Sequence, residues 1–107
     1  GLTGALRAID YAAARGLGTI IHNQPLGIGT AAHLHLATAR LDRLGHDVEL
    51  AGDVMFDEHL IVDRFVAGDG TLAVPSGPGW GVQIDLDALH DHLVAAPRTI
   101  DLGGAPS

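Results

Sequence analysis

Apolar residues recur at helical spacing from the start of the chain. Leu6, Ile9 and Ala13 follow a period near 3.6, Thr3 offers an N-cap oxygen, and Gly16 suits the C′ position, where positive φ is wanted. A first helix of about three turns is predicted there. The next run, Thr19-Ile20-Ile21-His22, is apolar on both faces, as a parallel strand reads when helices cover one side and a core the other. A turn over 23–29 ends it. Leu34, Ala37, Leu41 and Leu44 then form the stripe of a second helix, which Thr30 can cap and Gly45 can stop. Arg40 and Arg43 sit late in that helix, where its dipole favours cations. Asp47-Val48-Glu49-Leu50-Ala51 reads as another strand. Helix, strand, helix, strand is the pattern of a parallel α/β sheet or barrel.

Gly52 is the best boundary, because the pattern changes after it. Residues 60–66 and 71–74 are β-rich runs flanking Gly68-Asp69-Gly70, a hairpin signal. The PSGPGWG stretch over 75–81 is too rich in Pro and Gly for regular structure, and a short strand over 82–84 follows. Asp85 caps a last helix with Leu86, Leu89 and Leu93 on one face. No internal repeat is present.

Composition narrows the class. With 107 residues, 47% of them hydrophobic, 4% aromatic and 15 of them glycine, the chain is one folded domain's worth of sequence with an aliphatic core. Cysteine is absent, which removes disulfides and thiolate metal sites and fits a cytoplasmic protein. Every basic residue is arginine, so no lysine is present for Schiff-base or general-base chemistry. The formal charge of −7 repels nucleic acid and anionic membrane surfaces alike. The long uncharged stretch 16–39 holds Asn23, Gln24, Pro25 and three histidines, which is no membrane span. Opening on Gly1-Leu2-Thr3, the chain reads as a cut piece of something longer.

In a parallel barrel the working residues sit at the C-terminal ends of strands and in the loops that follow. His22 and Glu49 fall there. A histidine can take or give a proton near neutral pH, and a carboxyl in a closed pocket can stay protonated and donate to an oxyanion. The alternatives are a strand-end histidine bonded to backbone and a solvated or salt-bridged carboxylate. Asn23 and Gln24 can present amides to a polar ligand, or satisfy the turn. His33 and His35, like His90 and His92, are two apart on a helix and cannot chelate as an i, i+4 pair would. Gly27-Ile28-Gly29-Thr30 precedes a helix N-terminus but lacks the lysine of a phosphate loop. Asp53, Asp57 and Glu58 form an acidic stretch better explained by solvation than as a cation site. Trp80 is placed to anchor its glycine-rich loop or, failing that, to cover a ligand.

Read together, the segments HNQPLGIGTAAHLHLATA, VELAGDVMF and VPSGPGWGVQID, after the opening GLTGAL and the AAARGLG that follows it, resemble the C-terminal part of the enolase superfamily. The similar branch is that of mandelate racemase and muconate lactonizing enzyme. The resemblance implies the end of a modified (β/α)7β TIM-type barrel over residues 1–51, strands seven and eight with their helices, and over 52–107 a segment packing towards a capping domain. It also implies a Mg²⁺ enzyme that abstracts the proton α to a small carboxylate substrate through a stabilised enolate, as a dehydratase, racemase or cycloisomerase.

The Mg²⁺ ligands and the lysines of such enzymes belong to strands outside this sequence, so this chain alone is expected to be inactive and its parent homo-oligomeric. By the same resemblance His22 matches the strand-seven histidine that the racemase and acid-sugar dehydratase groups use as general acid/base, and Glu49 a strand-eight donor to the enolate, with no metal ligand in this chain. Gln24 is an extra residue relative to the dehydratase-like strand end. The rival reading is a stand-alone binding or structural module that reuses the end of the barrel without its chemistry.

Overall fold

The computed structural model describes residues 1–24, 26–56 and 60–100. Five helices follow in order among them: α1 Leu2–Ala13, α2 Ile28–Thr38, α3 Leu41–Leu44, α4 Gly52–Met55 and α5 Leu86–Asp91. None is long and apolar enough to cross a membrane.

Helix α1 starts one residue before the expected cap, so Thr3 lies inside its first turn and Gly1 is the N-cap. Its end follows the sequence. Gly16 has φ +70°, Gly16 N donates to Ala13 O at 3.0 Å and Leu17 N donates to Ala12 O at 3.1 Å. That pair of bonds is a Schellman arrangement, which satisfies carbonyls the last turn would otherwise leave open.

The second predicted helix is two. Gly27, with φ +47°, is the N-cap of α2, and Thr30 is buried within the first turn instead of capping it. The helix stops at Thr38; Arg40 leaves the helical region at φ −140° before α3 begins, and Gly45 closes α3 at φ +77°, as its position foretold. The break rotates the stripe, so that Leu34, Ala37 and Leu44 are buried while Leu41 is exposed. Asp10 of α1 binds this corner: Arg40 Nε and Nη2 donate to its two oxygens at 2.7 and 3.2 Å, and Arg43 Nη1 adds a bond of 2.7 Å. Two guanidinium groups beside it hold the Asp10 carboxyl below the usual carboxylate range.

The expected strands are not formed as regular strands among the described residues. Residues 19–23 and 44–51 do run side by side in parallel. Thr19 pairs with Gly45 as an isolated parallel bridge, Glu49 N donates to Ile21 O at 3.3 Å, and Ala51 N donates to Asn23 O at 3.0 Å. The second segment carries one residue more than the first between these contacts, which breaks the even spacing a parallel ladder needs. Among the described residues only one pair of edges meets here, and extended segments without neighbours on both sides make too few bonds to register as a sheet.

Ile9, Ile21, Leu36, Ala37 and Leu44 make the buried cluster, with Leu2, Ala5, Leu6 and Val48 against it. It joins α1, α2, α3 and the two extended segments.

In the second half the hairpin turn forms as predicted. Gly68 and Thr71 exchange backbone bonds of 2.9 and 2.8 Å around Asp69 and Gly70, whose φ values of +50° and +74° are those a two-residue type I′ turn requires. The ladder beside it is different: Ile61 pairs antiparallel with Ile84, linking 60–62 to 83–85. Asp85 caps α5 by accepting from Ala88 N at 3.0 Å. No residue of α5 is buried, so its leucine face stands uncovered among the described residues. Trp80 anchors its loop on α2: His35 Nε2 donates to Trp80 O at 3.2 Å, and the two rings lie 5.8 Å apart.

Candidate active site

The end of segment 19–23 and the middle of segment 44–51 place His22 and Glu49 side by side. His22 Nδ1 donates to Glu49 Oε2, although 27 residues separate them in sequence. Both remain open to solvent, at 60% and 45% side-chain exposure, so reagents can reach the pair. The bond to Glu49 is the main reason the His22 ring holds its proton above the ordinary histidine range; a hydrogen bond with the Gln24 side chain and the charge of Glu49 add to it, and desolvation opposes it. A ring that donates Nδ1–H to a carboxylate keeps its tautomer and orientation fixed and carries proton exchange on Nε2.

Of the two amides, the structure gives Gln24 and Asn23 different surroundings. Gln24 is exposed beside the His22 ring. Asn23 is 1% exposed. Its Nδ2 donates to Thr30 Oγ1 at 3.3 Å, and His33 Nδ1 donates to its Oδ1 at 3.1 Å. The Asn23 side chain is therefore engaged within the fold, and Gln24 is the amide presented outward.

The partners of Asn23 are residues the sequence marked for other roles, Thr30 as a helix cap and His33 as one of a pair unable to chelate. Thr30 and His33 are three apart and share a face of α2. A polar pair on a face that also carries Leu34 and Ala37 is the signal that finds them, since buried polar groups need partners.

A groove of about 770 Å³ runs between α2, residues 47–50 and the hairpin. Leu34, Ala37, Val48 and Leu72 give it an apolar wall, and Glu49 and Asn23 lie at its lining. His22 is not part of that lining, so the pair sits on the rim.

Among the described residues no three His, Cys, Asp or Glu side chains come together to hold a metal. The described residues therefore offer no cluster to hold the Mg²⁺ that the sequence resemblance implies, whose ligands that resemblance places outside this sequence. Asp57 and Glu58 lie outside the described residues, as does the side chain of Asp53, so the acidic stretch is left as a sequence feature. His90 and His92 are exposed on and just after α5, where His92 Nδ1 donates to Ala88 O at 2.7 Å.

Comparison with known proteins bears on this geometry. A family described as enolase C-terminal domain-like matches residues 1–88. The chain is 39% identical over 62 residues to muconate cycloisomerase 1 of Rhodococcus opacus, covering 58% of this chain and 16% of that protein. It is 34% identical over 93 residues to a chloromuconate cycloisomerase of Pseudomonas putida, covering 83% of this chain and 24% of the relative. A chloromuconate cycloisomerase of Cupriavidus pinatubonensis is 32% identical over 74 residues, or 69% of this chain and 20% of its own. The chain thus spans 16–24% of the length of the curated relatives it matches. No solved structure matches it.

Proposed function

The chain belongs to the enolase C-terminal domain-like family, in the mandelate racemase and muconate lactonizing branch, and from that premise we propose that His22 and Glu49 form the proton-transfer pair of an enzyme acting at the carbon α to a carboxylate. The single observation that carries this reading is the hydrogen bond from His22 Nδ1 to Glu49 Oε2.

The pair has two proton states of use. With the proton on the ring, Glu49 is a carboxylate and His22 an imidazolium able to give a proton from Nε2. With the Nδ1 proton passed to Glu49, the carboxyl becomes neutral and able to donate to a developing enolate oxygen, while the neutral ring keeps its proton on Nε2. The same two groups thus supply an acid or an oxyanion donor without a change in total charge, and once Nε2 has given its proton the ring, with Nδ1–H still bonded to Glu49, can accept one back there. Gln24, exposed beside the ring, is the amide placed to orient a substrate carboxylate. Mg²⁺ would supply charge neutralisation on the enolate's other side, held by carboxylates outside this chain.

The names of the relatives make muconate-type carboxylates the substrate class to try, with cycloisomerisation as the reaction favoured over dehydration or racemisation. The test is exchange of the α-proton of such a carboxylate product with deuterium from solvent, catalysed by the full-length protein that carries this chain. Glu49→Gln and His22→Gln are expected to slow exchange by roughly 10²- to 10⁴-fold. Exchange at the unaltered rate in both variants contradicts the reading and favours a non-catalytic module.

A further inference from the structure

Asn23 follows His22 and links its segment to residues 51 and 52 in a way the chemistry above does not use. Its backbone carbonyl accepts from both Ala51 N and Gly52 N at 3.0 Å, and Ile21 O accepts from Glu49 N at 3.3 Å. These contacts flank His22 on one segment and tie Glu49 and residues 51–52 on the other, so the direction of the residue 23 carbonyl helps set how far apart the two side chains start. That carbonyl is not free to turn. The Asn23 side chain is buried and held at both ends by α2, through Thr30 and His33.

An amide fits this place better than its isosteres. Its NH₂ end meets a hydroxyl oxygen and its oxygen end meets a ring N–H, which requires one donor and one acceptor on the same short side chain. An aspartate offers no donor when ionised, and a leucine offers neither group and leaves His33 Nδ1–H without its acceptor.

We propose that Asn23 is a positioning residue whose inward-turned amide couples helix α2 to the separation of His22 and Glu49. It touches no substrate; it acts by holding the backbone that carries the pair. The proposal rests on the reading of His22 and Glu49 as partners in proton transfer. Helix α2 is also one wall of the groove beside Glu49, so through Asn23 the packing of that helix reaches the pair.

The experiment is a proton-NMR titration of the His22 ring in the full-length protein carrying Asn23→Ala, with far-UV circular dichroism as the check on folding. A folded Asn23→Ala protein is expected to titrate His22 closer to 6.5 than the unaltered protein does, with α-proton exchange slowed roughly 10- to 100-fold, the size of a small misplacement of reacting groups. An unchanged His22 titration in folded Asn23→Ala protein overturns the proposal. If that variant does not fold, Thr30→Val decides, since it removes the acceptor of the Asn23 amide and little volume; an unchanged titration there overturns it equally. The two readings fail differently. Should Glu49→Gln leave exchange intact while Asn23→Ala still moves the His22 titration, the proton-transfer reading falls and the positioning role stands.

Discussion

His22 Nδ1 donates to Glu49 Oε2, and the backbone supports that meeting on either side of His22 by bonding Ile21 O to Glu49 N and Asn23 O to Ala51 N. The pairing is long-range: the two lie 27 positions apart, and the whole of α2 and α3 between them returns the chain to the same edge. A histidine and a carboxylate brought together by a βαβ-like crossover share one proton position and one orientation, which is the arrangement proton transfer needs.

The Asp10 cluster makes stability depend on pH at the acid end. Its folded-state carboxyl sits below the ordinary value of 3.8, held there first by Arg40 and then by Arg43. A lowered folded value stabilises above the unfolded value and is lost as pH falls through the folded one. Asp10→Asn should melt at a lower temperature than the unaltered protein at pH 7, with the gap closing below pH 3.8. A gap of constant size from pH 7 to pH 2 would contradict the ion-pair account.

Leu44 is 1% exposed and packs with Ile9, Ile21, Leu36 and Ala37. Leu44→Ala removes three carbons from that cluster and should cost roughly 2–5 kcal/mol in a urea melt. Leu41→Ala, at an exposed position in the same short helix, should stay within about 0.5 kcal/mol. Equal losses at the two positions would contradict the break between α2 and α3.

Gly81 has φ +72°, and a Cβ there would lie 2.8 Å from Pro75 C and 2.9 Å from Ser76 N, both backbone atoms that cannot step aside cheaply. Gly81→Ala should therefore destabilise by at least about 1–2 kcal/mol. Gly68 has open space and no positive φ, so Gly68→Ala is the control and should change stability by no more than about 0.5 kcal/mol. The pair of melts checks whether the glycine-rich loop is folded as described.

Signals that act on one residue were legible in the sequence. Gly16 and Gly45 end helices at positive φ, Asp85 caps α5, and Asp69-Gly70 make the turn, because each depends on local backbone chemistry. Thr30 was misread as a cap because cap preference is statistical; Gly27 opens the helix earlier, and the Thr30 hydroxyl goes to Asn23. Arg40 was read as part of one continuous helix, since the stripe through Leu41 fits a period of 3.6 while the actual break depends on packing around Asp10. The strand readings over 19–22 and 47–51 named the segments that lie side by side, but a strand needs neighbours that a linear pattern cannot supply. His22 at the end of the first predicted strand and Glu49 within the second are both candidates in the sequence; that they touch is a fact of the crossover. The inward turn of the Asn23 amide had no local signal, because a turn asparagine reads the same whether it faces solvent or helix.

The most direct measurement is the ring titration of His22 by NMR in the full-length protein and in its Glu49→Gln variant. The His22 value is raised above 6.5 chiefly by its bond to Glu49, so any stability from the pair is fully present below pH 6.5 and lost as pH rises through the folded value. The account predicts a titration above 6.5 in the unaltered protein that falls back towards 6.5 when residue 49 is glutamine. The same His22 titration in both proteins would contradict it.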